Sequence, residues 1–445
     1  MQRQLEQLAD EHRGAAVGVG VAIAQGDEVF EATSGLAHAE QDRAMTPDTV
    51  TQVGSTTKVF NGALAMTLVD EGVVDLDVPV RKYIPDLVLS DSLATDTVTL
   101  RHLLSMSSGM DNGPYLDLGG SYEERIGRYV AAIREVPHVF TPGSGYSYSN
   151  ASTVLSGHAL ECATGKSWDE LLRERIIEPC GLAFTSTLPE QLLLQRISAG
   201  HRVGGEIIRP WYMTQSMGPA GSTLASTAGD LVRFMRVLML DGMGAGGRVL
   251  STAAIETMTT PQIEIPTRSY ARSWCVGPAC LDWNGVRVFG HTGGNQSGAS
   301  RMYWAPALKT AVAVVTNTPS KTKIDPLLNA ALELVGLTRE FVSMPDTDSL
   351  VADTHRYVGA YEAAGQRFVI EAGEEGRLSL ALTAGGRTFN SGLVSLGGDR
   401  FAYEASRGKD AVDDVAFFGN DDQGRATHYL SNIFAARRVP DAASG

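Results

Sequence analysis

Hydrophobic and polar positions change their period along the chain, and the change divides it into two regions. Strand-like runs at 17–24 and 29–34 flank a turn at 25–27, helical runs fill much of the middle, and strand-like runs return over 286–316. Short runs of alternating polarity between turn residues are typical of antiparallel strands. This order predicts an α+β fold, in which an antiparallel sheet flanked by helices lies beside a mostly helical lobe.

The C-terminal region has a different pattern. After the polar segment 344–348, and from about residue 355 onward, short β-patterned runs alternate with Gly and Asp turns. About 90 residues of this kind can close into a small up-and-down barrel. The sequence therefore predicts two domains, at 1–343 and 355–445. The β-patterned runs lie at 367–371, 377–382, 401–405, 415–418 and 428–433.

Charge and hydropathy exclude several functional classes. The chain has 445 residues, and 37 lysines and arginines stand against 51 acidic residues, which gives a net charge of −14. This balance disfavours nucleic acid as a partner, because phosphate backbones attract basic surfaces. No apolar run approaches the roughly 18 residues that a membrane span needs, and the polar N-terminal segment has no signal-peptide core. We therefore expect a cytoplasmic protein with no membrane partner.

The sequence gives no indication of a metal or cofactor. The glycine-rich segment 242–247 fits a dinucleotide fingerprint, but it follows a helical run and is expected to be a loop. None of the cysteines has C-x-x-C spacing, so they are expected to be buried or free thiols. These residues are Cys162, Cys180, Cys275 and Cys280.

Ser55 and Lys58 form the first of three candidate catalytic motifs. Ser-x-x-Lys alone is weak evidence, since 320–323 and 406–409 also match it, but both of those segments are expected to be loops. Ser55 instead opens the helical run 58–71, where a serine and a lysine one turn apart share a face. The helix dipole favours negative charge at that end, and a half-buried lysine can act as a base. The alternative is an N-cap serine with a solvated lysine.

Tyr148, Ser149 and Asn150 form the second motif, which is the single Tyr-x-Asn of the sequence. They follow a turn-rich segment and precede the helical run 151–162. In the catalytic interpretation, the Tyr148 phenol is hydrogen-bonded to the lysine of the first motif and relays protons between the nucleophile and the leaving group or acceptor. In the alternative, Ser149 or Asn150 only caps the helix. Tyr146 is a competing candidate for the relay.

The third motif is the segment from Gly290 to Gly294, which contains His291. It lies between strand-like runs at 286–289 and 301–304. Glycines let the backbone approach a ligand closely, and an edge strand can offer an N–H group to an oxyanion. A neutral His291 can donate or accept a hydrogen bond there. The alternative is a glycine-rich hairpin with a surface histidine.

Together, the three motifs resemble those of the penicillin-binding-protein and serine β-lactamase superfamily. The order and the separations are similar to its class C β-lactamase, peptidase S12 and family VIII esterase branch. The likeness extends over about 16–335 and includes the intervening segments 99–105 and 219–227. The Ser-Asp-Asn motif of class A enzymes is absent, which disfavours their Glu-dependent deacylation.

This resemblance implies a role for each motif residue. Ser55 would be the nucleophile, and Lys58 and Tyr148 would share general-base and general-acid roles. Asn150 would contact the substrate. The backbone N–H groups of Ser55 and Gly294 would form the oxyanion hole.

His291 is a departure that affects the expected substrate. The corresponding lysine of β-lactamases and transpeptidases gives a fixed positive charge for a substrate carboxylate, whereas a histidine is largely neutral at pH 7. The resemblance therefore favours esterases, D-aminopeptidases and thioesterase-like members over β-lactamases. We include His291 among the catalytic candidates.

The C-terminal barrel refines this interpretation. Lipocalin-like barrels accompany several enzymes of this branch, among them the penicillin-binding-protein-type thioesterases that off-load and macrocyclise nonribosomal peptides. We therefore expect a serine hydrolase or acyltransferase that acts on a peptidyl thioester, with the carrier protein of a peptide synthetase as a partner. The alternatives are a cytoplasmic esterase, D-aminopeptidase or β-lactamase-like hydrolase of small esters or amides, or an inactive binding module on the same fold.

Arg437 and Arg438 are candidate substrate-binding residues of the barrel. They lie near the end of the last β-patterned region, and strand alternation lets only one of them face inward. An inward arginine could hold a peptide carboxylate or carbonyl through two hydrogen bonds. The alternative is that both are solvated charges on an edge strand.

Overall fold

The computed structural model describes residues 1–14, 16–211, 214–319, 324–345, 350–363 and 365–440. The Ser-x-x-Lys match at 320–323 therefore lies outside the described residues. A sheet with flanking helices is followed by a closed β-barrel, which confirms the predicted α+β class and architecture. The division into domains at 1–343 and 355–445 stays a prediction.

Strands form the centre of the first unit. In the described part of this unit they are β1 (Gly18–Gln25), β2 (Glu28–His38), β3 (Arg43–Ala44), β4 (Thr49–Gln52), β5 (Arg196–Ile197), β6 (Ala225–Ser226), β7 (Met243–Gly244), β8 (Gly247–Arg248), β9 (Ile263–Glu264), β10 (Ser273–Trp274), β11 (Ala279–Trp283), β12 (Val286–Gly294), β13 (Ala299–Ala305) and β14 (Thr310–Thr316). Nine of them form one antiparallel sheet in the order β3-β2-β1-β14-β13-β12-β11-β10-β9.

Helices cover both faces of this sheet. Those in the described residues are α1 (Gln2–Glu11), α2 (Thr57–Asp70), α3 (Ser92–Thr97), α4 (Leu100–Leu104), α5 (Arg125–Ala132), α6 (Asn150–Thr164), α7 (Trp168–Leu172), α8 (Glu178–Cys180), α9 (Pro189–Leu192), α10 (Ala228–Met239), α11 (Thr252–Thr259) and α12 (Asp325–Glu333). α1 and α12 pack on one face, and α10 packs on the other. Because both faces are covered, seven of the eight residues of β1 are buried.

Helix α2 lies inside the molecule, between the sheet and the helical lobe. All of its residues from Thr57 to Leu68 are buried, and it contacts β12, α6 and α7. A helix that buries its whole circumference belongs to a core. Its observed start is one residue before the predicted run, and this position places Lys58 in the interior of the protein.

The C-terminal barrel closes through eight sequential strands. They are β15 (Gly359–Ala363), β16 (Gln366–Ala372), β17 (Leu378–Ala384), β18 (Arg387–Gly397), β19 (Arg400–Tyr403), β20 (Asp414–Phe418), β21 (His428–Ser431) and β22 (Phe434–Val439). The predicted run at 428–433 is the first strand of a hairpin, which turns at Asn432 with a φ of 57°. The sequence pattern did not separate β22 from β21, and it missed β15 and β18.

The barrel packs directly against the first unit. The His428 imidazole contacts the carbonyl oxygen of Val139 at 2.8 Å, and Phe140 lies edge-on to Phe418. On another side, the buried Asp414 carboxylate accepts hydrogen bonds from backbone N–H groups of the loop between β9 and β10. The two units therefore share a buried interface with polar contacts at both ends.

Within the described residues, none of the helices combines the length and apolar character needed to cross a bilayer. The same part of the chain contains no group of three metal-ligating side chains in a common place. All four cysteines are free thiols, and three of them are buried.

Candidate active site

Ser55 lies in a single 3-10 turn, Gly54–Thr56, which connects β4 to α2. Gly54 has a φ of 65°, and a Cβ atom there would lie 2.5 Å from the backbone nitrogen of Gly294. Only glycine combines this left-handed conformation with such a close approach. The turn therefore holds Ser55 against the end of β12, as the first and third motifs predicted.

Lys58 is buried and bound by neutral oxygen atoms. Its Nζ donates to Asn150 Oδ1 at 2.7 Å and to the Ala220 carbonyl at 2.6 Å, and it lies 3.3 Å from Ser55 Oγ. Burial lowers the Lys58 pKa well below its usual value. A neutral amine has two protons for the two shorter contacts, which leaves its lone pair available to the Ser55 hydroxyl. Lys58 can therefore act as the general base for Ser55.

Tyr148 lies beside both of these residues. Lys58 Nζ is 4.8 Å from the centroid of the Tyr148 ring. The phenol interacts with the Ser55 hydroxyl, while burial raises the Tyr148 pKa well above its usual value. The predicted phenol–lysine hydrogen bond is thus replaced by a lysine placed over the ring face. A protonated phenol next to Ser55 can donate a proton to a leaving group.

Tyr146, the competing candidate, makes no ring contact or hydrogen bond with Ser55 or Lys58 in the described part of the chain, and it packs in the aromatic cluster around Trp274. Its ring packs against Trp274 at 5.8 Å between centroids, and its buried hydroxyl has no hydrogen-bond partner among the described residues. The structure therefore places Tyr148, rather than Tyr146, next to the nucleophile.

His291 is buried beside the same cluster, and not on a surface hairpin. Its Nδ1 contacts the Thr292 carbonyl, and its Nε2 has no partner among the described residues. Burial is the main cause that lowers the His291 pKa to about 3. The imidazole is therefore neutral at physiological pH, and its Nε2 lone pair is available as an acceptor.

Asn150 is the first residue of α6, but it does not cap that helix. Ser149 is the cap, and its side chain accepts a hydrogen bond from Ser152 N at 3.0 Å. This arrangement leaves the Asn150 side chain free to hold Lys58 and to line the cavity at Ser55. That Asn150 contacts the substrate stays a prediction.

The end of β12 borders an open cavity. β12 pairs with β11 only as far as Gly290, and from His291 to Gly294 it pairs with β13 alone. One edge of this segment is therefore available to a ligand, as in the edge strand predicted from the sequence. The adjoining cavity has a volume of about 380 Å³ and is lined by Ser55, Tyr115, Asn150, Met217, Ala220, Gly221, Ser222, Gly294, Asn295 and Gln296.

Neither candidate arginine of the barrel reaches this cavity. Arg438 faces the barrel interior and donates to the carbonyls of Val358 and Ala426, both at 2.6 Å, and to the Tyr361 hydroxyl at 2.5 Å. Its donors are therefore used to hold the barrel together. Arg437 is exposed and lines a separate groove of about 630 Å³ between the two units. A role for either arginine in substrate binding therefore stays a prediction.

Three neighbours of the site had no assigned role in the sequence interpretation. The Ala220 carbonyl lies within the segment 219–227 that contributed to the resemblance, so its position could have been suspected. Trp274 packs edge-on against Tyr148 and His291, and Phe434 packs edge-on against Tyr148. Aromatic residues that meet only after folding leave no local signal in the sequence.

A serine at a helix start, a buried lysine of lowered pKa one turn later and a tyrosine beside both are typical of the serine acyl-enzyme hydrolases. The comparisons agree with this class. The profile of the Beta-lactamase family matches residues 2–337, so the chain belongs to that family. It is a serine hydrolase of the penicillin-binding-protein and class C β-lactamase-like superfamily.

Individual relatives cover most of the chain. It is 32% identical to Penicillin-binding protein 4 of Amycolatopsis lactamdurans over 82% of this chain and 97% of that protein. Among solved structures, SurE with D-Leu has a TM-score of 0.80 at 24% identity, and the match covers 98% of each chain. D-amino acid amidase from Ochrobactrum anthropi in complex with D-phenylalanine has a TM-score of 0.62 at 23% identity, over 75% of this chain and 98% of the amidase. These structural matches show that the fold is shared.

Proposed function

We propose that this protein is a penicillin-binding-protein-type thioesterase that off-loads and macrocyclises a nonribosomal peptide. The observation that carries the proposal is the neutral His291 at the position where β-lactamases and transpeptidases have a cation. A substrate whose leaving group carries a carboxylate gains from a fixed positive charge there. A peptidyl thioester has no such carboxylate, because its only C-terminal carbonyl is the one under attack.

In the proposed reaction, Ser55 Oγ attacks the thioester carbonyl and its proton passes to the neutral Lys58 amine. The N–H groups of Ser55 and Gly294 stabilise the oxyanion. The C–S bond then breaks, and the thiolate leaves with the proton, which reaches it through Lys58 or Tyr148. The peptide's own amine attacks the resulting ester, and its proton returns to Ser55 Oγ as the macrolactam leaves.

Two of the structural matches motivate the choice of substrate stereochemistry. The SurE structure, which matches 98% of this chain, contains D-Leu, and D-amino acid amidase matches in complexes with D-phenylalanine and with L-phenylalanine. We therefore expect a D-residue at the acylating end of the peptide. On this proposal the enzyme works in the cytoplasm, where a carrier protein would present the peptidyl thioester.

A second candidate function uses water as the acceptor. The cavity at Ser55 is of ordinary size for a small ligand, and the chain is 30% identical to Esterase EstB of Burkholderia gladioli over 39% of its length. The same residues would then hydrolyse short esters, D-amino-acid amides or β-lactams. A cleft that holds the peptide amine at high effective concentration favours aminolysis instead.

The two functions are separated by product analysis. The protein is incubated with a peptidyl thioester mimic that has a free N-terminal amine and a D-residue at the acylating end. Mass spectrometry then distinguishes macrolactam from linear acid by the mass of one water, with Ser55→Ala as the control for background reaction. We expect mainly macrolactam. Only linear acid across a panel of peptides, together with rapid cleavage of short esters or D-amino-acid amides, would assign the hydrolase function.

A further inference from the structure

The β21–β22 hairpin of the barrel contacts the loop that carries Tyr148. The Tyr148 N–H donates to the Ile433 carbonyl at 2.9 Å. One residue earlier, Ser147 Oγ accepts a hydrogen bond from Ala435 N at 3.1 Å, and both of these residues are buried. Two consecutive residues of the catalytic unit are therefore hydrogen-bonded to the barrel.

The Tyr148 loop depends on such outside contacts. The segment 133–149 contains no regular helix or strand. The backbone N–H groups of Ser147 and Ser149 are both bound by Met106, through its carbonyl at 3.0 Å and its sulfur at 3.4 Å. Only the N–H of the residue between them, Tyr148, is bound by the barrel. The catalytic unit thus holds the backbone N–H groups of Ser147 and Ser149, and the hairpin holds that of Tyr148.

The hairpin also contacts the Tyr148 side chain. The Phe434 ring lies edge-on to the Tyr148 ring, with 6.0 Å between centroids and an interplanar angle of 83°. Trp274 makes a second edge-on contact at 5.7 Å. The strands of the barrel and of the central sheet therefore each supply one wall for the phenol ring. Edge-to-face contacts of this kind favour one ring orientation.

The hairpin itself is held against the catalytic unit. Thr267 Oγ1 donates to the Asn432 carbonyl at its turn, at 3.4 Å. Nearby, the Asp414 carboxylate of β20 accepts hydrogen bonds from the N–H groups of Arg268 and Ser269, at 2.8 to 2.9 Å. A displacement of the barrel would break these contacts and would change the position of Tyr148.

We infer that the β21–β22 hairpin is a positioning element for Tyr148 and that Phe434 is its principal side chain. Phe434 acts through the tyrosine, holding the phenol next to Ser55 Oγ for proton transfer. The barrel is then part of the catalytic apparatus for every substrate, small esters included. This inference rests on the proposed roles of Ser55 and Tyr148, but it is independent of whether water or an amine is the acceptor.

The test uses the full-length protein and a small activated ester, which is too short to require a peptide-binding surface. Phe434→Ala should lower kcat by about 10- to 100-fold with little change in KM, since a misplaced catalytic group can cost about that much. Phe434→Tyr keeps the ring and should restore most of the activity. Phe389→Ala is the matched control, because Phe389 is an exposed phenylalanine of the same barrel.

The same substitution in a Tyr148→Phe protein separates a positioning role of Phe434 from a structural defect. If Phe434 acts through the phenol, Phe434→Ala should cost almost nothing in a Tyr148→Phe protein, because coupled residues are non-additive. Leu378→Ala, which perturbs the barrel core at β17, a strand that pairs with β16 and β18 and not with the hairpin, should lower Tm and leave kcat unchanged. Equal losses in both backgrounds, or full activity in Phe434→Ala, would overturn the inference.

The result remains distinguishable from a failure of the proposed function. An absence of macrolactam would leave the ester assay intact. Failure of the wild-type protein to form a covalent adduct at Ser55 would instead remove the basis of both proposals.

Discussion

Lys58 at the start of α2 and Arg438 near the end of β22 are two basic side chains without a carboxylate partner among the described residues. Their surroundings are alike. Lys58 Nζ is 4.8 Å from the centroid of the Tyr148 ring, and Arg438 Cζ is 4.7 Å from the centroid of the Tyr361 ring. Each also donates hydrogen bonds to neutral oxygen atoms. These ring contacts and hydrogen bonds alone do not show which of the two basic groups is suited to catalysis.

The chemistry of the two groups explains the difference. An ammonium group in a buried, neutral site can relieve its desolvation by losing a proton, and burial lowers the Lys58 pKa accordingly. A guanidinium group stays protonated in proteins and presents five donors in a fixed geometry. Arg438 uses these donors to connect β22 to the first barrel segment, at Arg356, Val358 and Tyr361. The lysine site is therefore suited to proton transfer, and the arginine site to stability.

A catalytic role for Lys58 requires that the adjacent Ser55 is the nucleophile. Ser55→Ala should lose activity by about 10⁴-fold or more, because removal of a nucleophile leaves only binding and oxyanion stabilisation. Intact mass after exposure to a fluorophosphonate should show one adduct on the wild-type protein and none on the variant. An adduct of unchanged yield on Ser55→Ala would assign the nucleophile elsewhere.

An exchange of cation type at the catalytic site should break its function. Lys58→Arg should lower kcat/KM by about 10²- to 10⁴-fold, since a guanidinium cannot accept the Ser55 proton. Tyr148→Phe should cost a similar factor, and the double variant should be little worse than either single one, because the two residues form one proton-relay unit. The measurement is steady-state kinetics on a small ester. Losses that add in log kcat/KM would show that the two residues act independently.

His291 is a third basic group in addition to these two, and burial keeps it neutral. Its pKa of about 3 means that it does not titrate near neutral pH, so a loss of activity on acidification should report protonation of Lys58. His291→Ala should lower activity by roughly 10- to 1000-fold, the range for one acid–base or oxyanion contact. In the His291→Ala variant, kcat/KM should still decrease as the pH is lowered, because Lys58 is still present to be protonated. Complete loss of activity in a folded variant would make His291 the primary base.

The sequence predicted those parts of the site that lie within one short segment. Ser55 and Lys58 are one helical turn apart, and Tyr148 and Asn150 precede a helical run, so local periodicity placed all four near helix starts. The sequence could not show which of Ser149 and Asn150 caps α6, because either residue type can cap a helix. Only the folded chain shows that Ser149 is the cap and that Asn150 binds Lys58.

The barrel shows where local patterns were insufficient. The alternation of Leu378 and Leu380 predicted β17 correctly, because a closed barrel buries every second side chain. β18 was missed, since most of its residues are exposed or half-buried and carry no clear alternation. The sequence predicted that only one of Arg437 and Arg438 faces inward, but it did not show which one. The register of β22 with β15 places it beside Tyr361 inside the barrel, and no local signal contains that register.

The smallest effect on activity is expected from the reverse exchange, Arg438→Lys. A lysine has fewer donors and a shorter reach, so at least one of the oxygen atoms of Arg356, Val358, Ala426 and Tyr361 would lose its partner. An unpaired buried polar group costs about 1 to 3 kcal/mol, and the free energy of unfolding from urea titration should fall by that amount. Activity toward a small ester, measured well below the Tm, should be unchanged, because the partners of Arg438 lie within the barrel and include neither Tyr148 nor Phe434. A fall in kcat without a loss of stability would instead give Arg438 a role at the active site, which the sequence allowed for whichever of Arg437 and Arg438 faces inward.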